Sequence, residues 1–162
     1  MSSMLPAVIA MVVLLPALEN RQDRANITGT WTMVAERSES PEQTPPVNSI
    51  VLDITHSDTA LNVTATRDGK ATTTSYPVDN TRNPAAGTVG AGTTRAYWEG
   101  RRLAAWRAGN VQGQTVSIKE TYELNSDATE LTVETTVEIQ HGYTMKGAKN
   151  YASSRDVFTK KR

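Results

Sequence analysis

The sequence predicts an all-β fold, an antiparallel up-and-down barrel of eight to ten strands, with a β-sandwich as the alternative arrangement of the same strands. Three observations lead there. Val, Ile and Thr fill runs that alternate apolar and polar residues, the composition of half-buried pleated strands. Nine such runs occur, most of them separated by short turn signals, so consecutive strands are expected to be antiparallel neighbours. The first run opens on Gly29-Thr30-Trp31, where a residue without a side chain stands two places before a large apolar plate that needs a cover.

The first strand is predicted over Thr28 to Glu36, with Trp31, Met33 and Ala35 on one face and Thr32, Val34 and Glu36 on the other. Arg37 to Pro46 holds Pro41, Pro45 and Pro46 among Ser and Glu, which argues for a loop. Asn48 to His56 then alternates cleanly, with Ile50, Leu52, Ile54 and His56 sharing a face. A turn at Ser57-Asp58 leads into Ala60 to Arg67, and Asp68-Gly69 supplies the positive φ angles of a two-residue hairpin. The fourth run, Ala71 to Val78, is rich in Thr and reaches Pro77, as an edge strand does.

Residues 79–92 have no period and are expected to be either functional or mobile. Their glycines, Gly87, Gly90 and Gly92, precede neither a helix nor a Lys-Ser/Thr pair, so they form no phosphate-binding fingerprint. Thr93 to Trp98 and Arg102 to Ala108 make a second hairpin across Glu99-Gly100-Arg101. On Gln114 to Leu124 the residues Val116, Ile118, Glu120, Tyr122 and Leu124 share a face; on Glu130 to Ile139, Leu131, Val133, Val137 and Ile139 face the core. A Gly-containing loop precedes the last strand, Tyr151 to Lys160. Nine strands cannot close a purely antiparallel barrel, so either a short strand hides in 79–92 or 139–149, or the last run pairs differently from the others.

Gly29-x-Trp31 at the head of strand one and an Arg, Arg155, on the final strand resemble the lipocalin or calycin pattern. The likeness is greatest to lipocalin-like proteins of bacterial envelopes, with Trp98-Glu99-Gly100 and Leu124-Asn125-Ser126-Asp127 as further shared turns. The resemblance spans residues 28 to 160 loosely. It implies a barrel closed by Gly29, Trp31 and Arg155, with the guanidinium stacked on the indole. It also implies that the Pro-rich first connection arches over the open mouth, against the alternative of a plain surface loop.

With 162 residues the chain is large enough for one core, and 26–162 is read as the barrel domain. Seventeen basic and seventeen acidic residues, with no basic cluster beyond Arg101-Arg102 and Lys160-Lys161-Arg162, argue against nucleic acid as a partner. The absence of Cys excludes disulfides, thiol catalysis, the usual structural zinc sites and a lipid-anchoring cysteine. Met4 to Leu18 is an uncharged apolar stretch too short to span a bilayer, so residues 1–20 read as an export signal ending near Ala17, or as an uncleaved N-terminal anchor. The mature protein is therefore expected to be secreted or periplasmic and monomeric, meeting the membrane only through that segment if it stays attached.

Chemistry is sparse. His56 and His141 are the two histidines, in no metal-ligand spacing, and no nucleophile, acid and base fall together; no metal, cofactor or enzymatic activity is expected. Glu120 is the informative polar residue, because an ionised carboxylate on an inward face needs a partner. Three explanations are open: a pair with an inward Arg such as Arg107 or Arg155, a contact with a polar ligand group or internal water, or a shifted register. A pocket is expected from Met33, His56, Trp98, Trp106, Glu120 and Tyr122. The lipocalin resemblance implies a carrier of a small apolar or amphipathic ligand; a filled structural or interaction module of the envelope is the alternative.

Overall fold

The computed structural model describes residues 24–78, 92–111, 113–140 and 151–161. The expected export segment, the stretch 79–91 with Gly87 and Gly90, the stretch 141–150 with His141, and any strand hidden in them lie outside the described residues.

Among the described residues nine strands form one sheet: β1 (Gly29–Met33), β2 (Ile50–His56), β3 (Ala60–Arg67), β4 (Lys70–Pro77), β5 (Thr94–Glu99), β6 (Arg102–Val111), β7 (Gln114–Leu124), β8 (Glu130–Gln140) and β9 (Tyr151–Lys160). Their spatial order is β4-β3-β2-β1-β9-β8-β7-β6-β5, a single sheet rolled into a nearly closed barrel. One continuous sheet excludes the sandwich.

All eight ladders are antiparallel, including β1 with β9. Counting directions around the sheet from β1 then leaves β4 and β5 parallel. They touch through one isolated parallel bridge, Val78 to Ala96. The odd strand count is thus absorbed at the β4/β5 seam and not at β9. Parallel neighbours need a return connection of a dozen or more residues, and the chain has 79–91 between them.

Local turn chemistry sets the registers. Asp68 and Gly69, at φ 46° and 82°, make the two-residue turn that pairs Arg67 with Lys70. Gly100 at φ 64° begins the turn that pairs Glu99 with Arg102.

Strand β1 is shorter than its alternation predicts. After Met33 the chain bends into two 3-10 turns, Ala35–Arg37 and Ser40–Glu42, and Ala35 is exposed instead of inward. The cause is bonding to β9: Val34 N–H donates to the Val157 carbonyl, and the Ser38 hydroxyl accepts from Val157 N–H while donating to the Val34 carbonyl. Ser40 then reaches the buried carboxylate of Asp156, donating its N–H to Oδ1 at 2.9 Å and its hydroxyl to Oδ2 at 2.6 Å. Gln43 and Thr44 lie over the barrel's mouth beside β8 and β9. The Pro-rich connection is therefore a strap latched to β9 at the barrel's mouth and not a plain surface loop.

The interior is divided by height. In the half away from the strap, Trp31, Leu61, Tyr76, Leu103, Tyr122, Leu131 and Phe158 are fully buried and fill the barrel. In the mouth half, the inward positions hold small or polar residues such as Thr72, Thr74, Thr135, Ala152 and Ser154.

Candidate ligand-binding site

At the closed end, Trp31 is completely buried and donates Nε1–H to the Ile27 carbonyl at 2.9 Å. Its cover is Lys160 and not Arg155. Trp31 and Lys160 are cross-strand partners, and Nζ stands 5.3 Å from the ring centroid. The reason is the two-residue period of a strand: Arg155, five places before Lys160, points to the opposite face, where it is exposed and opposite Glu134. Gly29 has the predicted role, close approach. At φ 148° it leaves room for the Lys160 stem, and a Cβ there would stand 2.8 Å from Lys160 Cε.

The six residues expected to share a pocket are divided among four places. Glu120 and Tyr122 meet in the interior. Met33 is core, paired with Phe158. His56 and Trp98 meet near the closed end, with ring centroids 5.6 Å apart, beside a small hollow of about 130 Å³ that Arg24, Asn26, Ser57 and Asp58 complete. Burial lowers the His56 pKa against an opposing effect of Asp58, so its imidazole is neutral at pH 7.

Trp106 does not face the interior. Register puts Leu103, Ala105 and Arg107 on the inner face, so Trp106 faces outward beneath Arg95, whose guanidinium lies 5.3 Å from its ring centroid and 5.5 Å from that of Tyr97. Lys119 continues this outer layer with an ion pair to Glu99 at 2.6 Å.

Two spaces open inside the mouth half. The larger, about 330 Å³, lies between the strap and the β8–β9 wall and is lined by Gln43, Thr44, Thr135, Val137, Ala152, Ser153 and Ser154. Alternation marks only Val137 among these as inward; small residues on a strand give no signal until register shows which of them face inward. The second, about 20 Å³, is bounded by Arg67, Thr72, Thr74, Tyr76, Arg107 and Glu120 among others, and is large enough for one water. Glu120 and Thr135 are cross-strand partners, so that pair stands between the two spaces.

Glu120 is only 7% exposed. It accepts from Tyr122 Oη at 2.9 Å and from Arg67 Nη2 at 3.5 Å. Its guanidinium contact is thus to Arg67, not Arg155, while Arg107 borders the same small space with a buried Nε that has no hydrogen-bond partner. Burial, reinforced by the Glu120 charge, pushes the Tyr122 phenol well above its usual pKa and that of Tyr76 to about 12. Both phenols are therefore neutral donors under ordinary conditions. Among the described residues no cluster of His, Cys, Asp or Glu could hold a metal.

A nine-stranded antiparallel barrel with a strapped mouth and a hollow upper half is a lipocalin or fatty-acid-binding-protein type of fold. No protein-family profile matches the sequence, and no curated protein matches it. Solved structures do. The apo structure of lipid binding protein 8 from Caenorhabditis elegans superposes with a TM-score of 0.51 at 12% identity, over 90% of this chain and all of that one. The fluorescent protein UnaG gives 0.46 at 11% identity, over 83% of this chain and 96% of that one, and a fatty acid transporter 0.41 at 8%, over 84% and 96%. The first of these likenesses is one of fold.

Proposed function

We propose that the chain is an exported, non-enzymatic binding protein for a small amphipathic molecule, held in the mouth cavity under the strap. The carrying observation is the cavity itself: about 330 Å³, bounded by an apolar wall at Val137 and Ala152 and by hydroxyl and amide groups from the strap, β8 and β9. That size and mixture suit a ligand with an apolar chain and a hydrogen-bonding end. The fold is shared with a protein named for lipid binding, which agrees with this ligand class. Export is supported by the apolar stretch Met4 to Leu18, and a secreted or periplasmic monomer is the corresponding state of the mature protein.

Titration with a neutral fluorescent apolar probe tests the reading. One saturable site is expected, and Val137→Trp, which fills the cavity, should abolish it. Absence of uptake, or uptake indifferent to Val137→Trp, would refute the carrier. The second reading, an interaction module of the envelope, would then gain ground; the outer layer of Trp106, Arg95, Tyr97 and Lys119 favours it.

A further inference from the structure

We infer that the mouth cavity selects a neutral, hydroxyl- or ester-bearing amphiphile over an anionic one of the same chain length, an inference that rests on the binding function proposed above. It follows from where the interior charges stand. Among the described residues lining the cavity, Gln43, Thr44, Thr135, Ser153 and Ser154 are neutral hydrogen-bonding groups, Val137 and Ala152 are apolar, and none is charged. Among the described residues, a carboxylate seated there would give up its water and meet hydroxyls and an amide but no cation. An ionised group so placed loses more solvation than neutral donors return. A ligand hydroxyl both donates and accepts, as the lining does, and an ester accepts from it.

Among the described residues, the inward-facing cations stand elsewhere. Arg67 and Arg107 border the small space, where the protein supplies its own carboxylate, Glu120, held by Tyr122 at 2.9 Å and Arg67 at 3.5 Å. The remaining volume of about 20 Å³ takes one water and not a headgroup. Glu120 also faces Thr135 across the β7–β8 ladder, so its negative charge stands at the floor of the mouth cavity and opposes a second anion.

The test is calorimetric titration of the mature protein at neutral pH with dodecanol and with dodecanoate, which share a chain and differ in headgroup charge. Dodecanol should bind about tenfold or more tightly than dodecanoate. Glu120→Gln should shrink that ratio severalfold, because Arg67 and Arg107 then lack their internal counter-charge. Should that variant not fold, Ser154→Lys, an inward position of β9 that faces Thr135 at the cavity wall, provides a cation and should shrink the ratio in the same direction. Dodecanoate binding as tightly as dodecanol in the natural protein would overturn the inference while leaving the binding function standing. Binding of neither would overturn both, so the two failures are distinct.

Discussion

Gly29 and Lys160 together hold the ends of the barrel, and each makes a prediction the other checks. Gly29→Ala combines an unfavourable φ with a clash against the Lys160 stem and should cost about 1–3 kcal/mol in urea unfolding. Lys160→Ala should cost about 0.5–1 kcal/mol through loss of the ring contact. Arg155→Ala, by contrast, should stay within about 0.5 kcal/mol, because its side chain is exposed on the far face. A loss above about 1 kcal/mol for Arg155→Ala would contradict this assignment of the cover. The sequence made the need for a cover legible, since Gly-x-Trp at a terminus exposes an indole. It did not reveal which cation provides it, because a one-residue change of register exchanges the faces on which Arg155 and Lys160 lie. Trp106 was misread for the same reason. The period of its strand is visible, but nothing local to Trp106 says which face is inner.

Among the elements, the strap was the most legible in position and the least in attachment. Pro41, Pro45 and Pro46 mark it plainly as a loop. Its latch, however, is Asp156, which nothing local in the last strand singles out and which is buried under Ser40. Asp156→Ala would leave both Ser40 donors unsatisfied and should cost about 1–3 kcal/mol. It should also speed amide exchange across residues 38–47 ahead of β7 and β8; exchange unchanged in the strap would show that the latch does not hold it. Strand β1 ends at Met33 through this same device, since Val34 and Ser38 bond to β9 instead of extending the ladder with β2. Alternation alone could not show that, because Val34 to Glu36 continues the pattern without continuing the strand.

Across the whole molecule, the barrel combines a packed half with a hollow one. The apolar and small residues in the inward positions were both visible in the sequence, but their segregation by height depends on strand stagger. The nine-strand count was legible too. Its resolution at a parallel β4/β5 seam was not, because seam position depends on how β1 meets β9. The buried polar layer ties stability to alkaline pH. Tyr76, pushed up to about 12, and Tyr122, also raised well above its usual value, ionise near 10 when unfolded, so their contribution is complete below pH 10 and is lost as pH rises from there through 12. Absorbance titration should find these two phenols ionising last and together with unfolding. Their titration near pH 10 in a still-folded protein would mean that the layer is wet.

The central claim is that the mouth cavity holds a small molecule. Native mass spectrometry of the mature protein, purified from its own compartment and followed by extraction, tests it most directly. The account predicts a stoichiometric, extractable amphipathic ligand on a protein shortened near Ala17. A clean ligand-free mass, together with no uptake of apolar probes, would contradict the carrier reading and leave a half-packed barrel acting through its outer surface.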